Sequence, residues 1–199
     1  MTNGRPALTR EAIIEVARRI VSRDGLDALA LRPLAKELGV TAPALYLHVR
    51  DKDDLLAALA ESGFEELFQR CNSVDSPDPM ERIRRWCVIY VDIALEEPGL
   101  FRVMFRFRPG ALDLAAVNEL PAATKAFEQP VVAIAEAIDN GTIHRDHNPM
   151  LVALTMWTVA HGLAGVMLLG AFPKPSARAA LQDSVIGAML HGLGHPPGA

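Results

Sequence analysis

The side chains with the means to do chemistry are few, and the first to weigh are histidines and carboxylates. His144-x-x-His147 brackets Asp146, which could serve as a metal pair. All three sit beside Asn148-Pro149, where His and Asp also serve as turn and cap residues. His191 and His195 are four apart, but Gly192, Gly194 and Pro196 interrupt the rigid helix such a pair needs. The sequence has no Gly-rich phosphate loop, no nucleophilic Ser on an elbow and no paired catalytic carboxylates. The reading is therefore no enzyme, no catalytic residue, no metal and no cofactor.

A second set of side chains suits another chemistry, the gripping of a polyanion. Arg32, Thr41, Tyr46, His48 and Lys52 fall close together. The Arg32 guanidinium can pair bidentately with guanine; it can also be a solvated surface Arg. Tyr46 and His48 suit phosphate oxygens, which position a protein without specifying sequence. Lys52 would do the same, helped by the positive end of the helix it opens.

The elements that must position these groups run from Leu31 to Lys52. Leu31, Leu34, Ala35 and Leu38 recur at i, i+3, i+4 and i+7, one face of a helix. Gly39 supplies a left-handed stop. Thr41 is an N-cap and Pro43 is tolerated in a first turn, so a second helix is expected over about 41–49. On it Ala42, Leu45 and Val49 face inward. Pro43, Ala44 and Leu47 face out, with Tyr46 and His48 on the flanks. Ala42, Ala44 and Leu47 cannot read donors or acceptors but could contact thymine methyls. Two such helices, a Gly turn and an exposed second helix are the helix-turn-helix design.

Thr41-Ala-Pro-Ala-Leu-Tyr-Leu-His-Val49, followed by Asp51-Lys52-Asp53-Asp54-Leu55-Leu56, resembles the recognition helix and next-helix start of the TetR family of bacterial transcriptional regulators. Thr9-Arg-Glu-Ala-Ile-Ile14 resembles that family's first helix. One departure stands out. The family usually carries Ser or Thr before the second helix, capping it and reaching a phosphate; here it is Ala30, at a cost of about 1 kcal/mol. Discrimination is accordingly expected to rest on Arg32, Thr41 and methyl contacts.

Composition and patterning read as an all-α chain, with little strand signal. Half of the 199 residues are apolar, and Val and Ile occur in 3.6-period runs rather than in alternation. Residues 1–52 carry nine Lys/Arg against six Asp/Glu, and the rest eleven against eighteen. A basic end on an acidic body suits polyanion binding by one end. Cys71 and Cys87 lack metal-like spacing and fit reduced thiols; a disulfide between them stays open. The N-terminus MTNGRPALTR lacks an apolar stretch, so no signal peptide is read and the cytoplasm is expected.

Taken in order, residues 1–8 read as a frayed arm carrying Arg5. Thr9 caps a first helix with the stripe Ile13, Val16, Ala17, Ile20 and Val21, closed by Gly25. A fourth helix runs from Asp51 to about Cys71. Asp78 and Pro79 open a fifth, with Ile83, Trp86, Cys87, Tyr90, Ile93 and Ala94 inward. Pro98-Gly99 is expected to break the chain before a short helix from Leu100 to Phe107. Residues 108–121 are undetermined. A helix from about Ala122 to Asn140 contains Pro130, which removes a backbone bond. Met150–Phe172 is long and uncharged enough to span a bilayer. His161, three glycines and the missing basic flank favour instead a helix with the body core on one side and a partner subunit on the other. Ser176 to about Leu193 is the last helix.

Trp157-x3-His161-Gly162 is similar to a signature in one subclass of TetR-type C-terminal domains, and Leu100–Phe105 sits where that subclass has a short helix. The resemblance as a whole implies an all-α fold of about nine helices. A DNA-binding head would occupy 8–68, and a ligand-binding and dimerisation body 69–199. It implies a homodimer on double-stranded DNA at a palindromic operator, with no membrane partner. A small-molecule effector would release it, and the apolar lining suggests a mostly apolar one. Trp86, Tyr90, Met104, Phe127, Met156 and His161 are candidate pocket residues, though each also suits a core, and His161 a hydrogen-bonded core histidine. A helical binding or scaffold protein without regulated DNA binding is the alternative; the missing polar readers on the recognition helix favour it.

Overall fold

Nine α-helices and one 3-10 turn make up the described residues, 8–106 and 120–197, of a computed structural model of the chain, and no strand occurs among them. The arm with Arg5 and most of the 108–121 stretch lie outside the described residues. The described chain divides into two compact units.

The first unit holds α1 (Arg10–Asp24), the 3-10 turn Leu26–Ala28, α2 (Leu31–Leu38), α3 (Ala42–Tyr46), α4 (Lys52–Asn72) as far as Gly63, and α6 (Pro98–Arg106) from Gly99. Local signals place each end. Thr9 Oγ1 accepts from Ala12 N–H, and Gly25 closes α1 at φ 82°. Gly39 ends α2 in the left-handed region at φ 66°, the conformation that only Gly adopts without a Cβ penalty. Ala30 makes no side-chain cap bond, as its methyl dictates. Ile13, Ala17, Val21, Leu29, Leu34, Leu45, Leu55 and Leu59 build the small core.

Two expected boundaries move. α3 is five residues long, not nine. His48 N–H and Val49 N–H both bond to the Leu45 carbonyl, at 3.0 and 3.1 Å. Sharing one acceptor tightens the final turn, and the chain then swings directly into α4. At the other site, Pro98 opens α6 rather than breaking the chain, because a first-turn residue has no N–H bond to lose.

The second unit holds the rest of α4, then α5 (Pro79–Glu96), α7 (Pro121–Asp139), α8 (Pro149–Leu168) and α9 (Pro175–Leu193). α5 packs on α7, α8 and α9, and α8 also packs on α7 and α9. All six residues assigned to the inward face of α5 are buried. Pro130 lies inside α7 and is buried with Ala133, Ile134 and Ala137. Asn148 Oδ1 caps α8 through Leu151 N–H. α8 is long and apolar enough to cross a membrane, yet it packs against three helices of this chain. Its inward side is Val152, Ala153, Met156, Ala160, Leu163, Ala164 and Met167. Its outward side is also apolar: Leu151 is 63% exposed and Leu169, the cap residue, 82%.

Candidate nucleic-acid interface

A five-residue helix cannot hold itself in water, because nucleation costs more than so few bonds return. α3 is therefore held by its surroundings. Thr41 Oγ1 accepts from Ala44 N–H at 3.4 Å at one end, and Leu45 and Val49 are buried beneath it. That leaves Thr41, Pro43, Tyr46 and Leu47 exposed, with Leu47 84% so. Ala42, Ala44 and His48 are half-buried. Tyr46 and Leu47 are thus large apolar side chains left exposed on a short capped helix.

Arg32 lies exposed in the first turn of α2, and Lys52 exposed as the first residue of α4. Neither has an ion-pair partner among the described residues. Both cations are free to meet phosphate. Asp51, Asp53 and Asp54 crowd the same α4 start, where the helix dipole favours carboxylates.

Two cations escaped the sequence reading. Arg50 follows the turn and its side chain is 85% exposed. Arg10, at the start of α1, forks onto Asp54: its two terminal nitrogens donate to Oδ2 and Oδ1 at 3.2 and 2.8 Å. The same guanidinium donates to the His48 carbonyl at 2.6 Å. Asp54 Oδ2 also accepts Arg50 N–H at 2.9 Å, and Asp51 Oδ1 accepts Asp54 N–H at 2.8 Å. The Arg10 hydrogen bond, aided by the Arg50 N–H, holds the Asp54 carboxyl down at about 2. The Asp51-x-x-Asp54 spacing was a legible capping signal. Nothing local joins Arg10 to a residue 44 positions on.

Of the six candidate pocket residues, Met104 belongs to the first unit, where its thioether lies over Gly63. The other five belong to the second unit. Trp86 donates its indole N–H to the Cys71 carbonyl at 2.9 Å. Tyr90 and His161 meet at 2.7 Å between the hydroxyl and Nδ1. Trp157 Nε1–H donates to the Tyr90 hydroxyl at 3.0 Å. Met156 is buried and Phe127 half-buried. A separate groove of ≈ 840 Å³ lies between α8 and α9, and none of the six residues lines it. Among the described residues no three His, Cys, Asp or Glu side chains are grouped to hold a metal ion.

Comparison with known proteins agrees with this geometry. Residues 13–59 match the family model described as bacterial regulatory proteins, tetR family. Residues 83–189 match that described as tetracyclin repressor-like, C-terminal domain. An uncharacterized HTH-type transcriptional regulator of Mycobacterium tuberculosis, Rv0681, is 28% identical over 190 residues, spanning 92% of this chain and 81% of the relative. A solved protein of unknown function from Rhodococcus sp. RHA1 superposes with a TM-score of 0.83 at 26% identity, covering 98% of this chain and 100% of that one. The fatty acid degradation regulator FadR of Bacillus halodurans shares the fold, with a TM-score of 0.73 at 14% identity over 96% of this chain and 99% of the other.

Proposed function

Since the chain belongs to the TetR family of bacterial regulatory proteins, and is thereby a DNA-binding transcriptional regulator, we propose that it is a homodimeric cytoplasmic repressor of a palindromic operator, released by a small, mostly apolar ligand. One observation carries the DNA half of this reading: α3 is capped and pinned so that Tyr46 and Leu47 project outward. Around it Arg32, Thr41, Tyr46, His48 and Lys52 supply polar and cationic contacts. Ala42, Pro43, Ala44 and Leu47 supply apolar ones to thymine methyls. Residues 8–68 act as the head and 69–199 as the body.

Support for a dimer comes from α8. Leu151, Thr155, Thr158, Gly162, Gly165 and Leu169 are all exposed. They follow one another in steps of four and three, the seam spacing of paired helices. The Thr155 and Thr158 hydroxyls donate to the Leu151 and Leu154 carbonyls at 2.8 Å, so their polarity is met within the helix. A Cβ added at Gly162 or Gly165 would meet nothing within 4 Å. A second copy can therefore approach this backbone closely. The α8–α9 groove shares Leu151 and Thr155 with the seam. Two heads related by a two-fold axis read two half-sites of a palindrome.

The effector site is assigned to the second unit, at Trp86, Tyr90, Phe127, Met156 and His161. The Tyr90–His161 pair supplies a polar handle among apolar side chains. A hundredfold loss of operator affinity requires the ligand to favour the non-binding state by about 3 kcal/mol.

Selection of binding sites from a random pool of DNA duplexes tests the reading, repeated at two salt concentrations with the mass of the complex measured by light scattering. The expected result is an inverted-repeat consensus bound by dimers, with affinity falling as salt rises. Arg32→Ala should lower preference for that consensus. A monomer without sequence preference would leave the helical scaffold reading.

A further inference from the structure

We infer that the Arg10–Asp54 pair is a positioning device that sets the angle of the reading helix, and that sequence discrimination depends on it through the placement of residues 48–50. The inference rests on the DNA-binding reading above. Its grounds are geometric. α3 ends at Tyr46 and has too few turns to fix its own direction. Its front end is tied by the Gly39 turn and the Thr41 cap. Its far end, residues 48–50, is tied by the cluster around Asp54. Arg10 takes the His48 carbonyl, one of the acceptors left open where the turn closes, and with the same group forks onto Asp54. Asp54 in turn takes Arg50 N–H. A cation on α1 and a carboxylate in the first turn of α4 thus clamp both sides of the segment that leaves α3. Val49, between the clamped residues, is buried, so that segment cannot shift without opening the core. The Asp54 side chain is only 11% exposed. The Arg10 side chain is 40% exposed, but the donors it turns to the clamp go to protein acceptors.

This role has a sign opposite to that of simple charge. Asp54→Asn removes a negative charge from the head, and Coulomb attraction to DNA alone would tighten all binding. A positioning role requires the reverse for the selected site. Arg10→Lys gives a second, charge-conserving test, because an ammonium cannot reproduce the planar fork.

The experiment measures affinity of wild type, D54N and R10K for the duplex selected by the wild-type protein and for a scrambled duplex, at one salt concentration, with helicity and melting recorded for each. The expected result is a fall of about tenfold in the ratio of selected to scrambled affinity for both variants. Scrambled-site binding should be equal or tighter for D54N. Folded variants that keep the wild-type ratio overturn the inference. So does a D54N protein that gains equally on both duplexes. If D54N does not fold, R10K alone decides. If the wild-type protein selects no sequence, the DNA-binding reading fails and this inference with it.

Discussion

The Tyr90 hydroxyl accepts the Trp157 indole N–H and lies 2.7 Å from His161 Nδ1. An indole nitrogen is a donor only. The Tyr90 oxygen keeps a second lone pair and one proton, so the 2.7 Å contact joins it to His161 Nδ1 in either direction, set by the imidazole tautomer. α5 and α8 are joined by this polar chain across an otherwise apolar contact.

Burial lowers the His161 pKa from 6.5, because desolvation disfavours the charged imidazolium in the folded protein. Folded-state depression of a base means that the unfolded chain binds more protons below pH 6.5. The His161 contribution should thus be intact above that pH and decline as pH falls from 6.5 toward the folded value. Urea unfolding of wild type and His161→Gln across pH 5–7.5 checks this: the variant should show the shallower slope.

Gly99 lies at the start of α6, and a Cβ there would sit 2.6 Å from the Val21 carbonyl oxygen. A backbone atom cannot step aside. At Gly63 the nearest obstacle is the Met104 sulfur, also at 2.6 Å, on a flexible thioether. Gly99→Ala should therefore destabilise by about 1–3 kcal/mol, and Gly63→Ala by less. Chemical unfolding of the two variants gives the order.

Gly162→Ala and Gly165→Ala should act in opposite directions on chain and dimer. Neither methyl meets anything within this chain, and Ala favours a helix over Gly by about 0.8–1 kcal/mol. A close-packed second copy would be pushed away. Sedimentation at falling concentration should show weaker self-association, while the melting temperature of the dilute chain rises.

Ala30→Ser should supply the missing cap of α2. The backbone at Ala30 is already extended, with φ −143° and ψ 149°, as an N-cap requires. A gain of about 1 kcal/mol is expected in thermal unfolding. The added hydroxyl should also strengthen DNA binding regardless of sequence.

Burial pushes the Cys71 and Cys87 thiols up to about 12, with Cys87 adding a smaller effect on Cys71. The thiolate is the reactive form. Both should resist alkylation at pH 8 in the native protein and react at once in denaturant, as followed by mass spectrometry.

What the residues determined by themselves lay within one or two turns of chain. The stripe Ile13, Val16, Ala17, Ile20 and Val21 is buried as its period demands. Gly39, Thr41 and Asp78 stop and start helices through their own backbone and side-chain atoms. The absent cap at Ala30 was equally plain. Tertiary structure decided the rest. Arg10 finds Asp54 across 44 residues, and Tyr90 finds His161 across 71; no period links such pairs, since packing alone brings them together. The five-residue length of α3 is set by the abrupt entry into α4, not by its propensity. On α8 both faces are apolar, so the sequence pattern could not say which side meets α5 and which is left exposed. Only the positions of α5, α7 and α9 divide them.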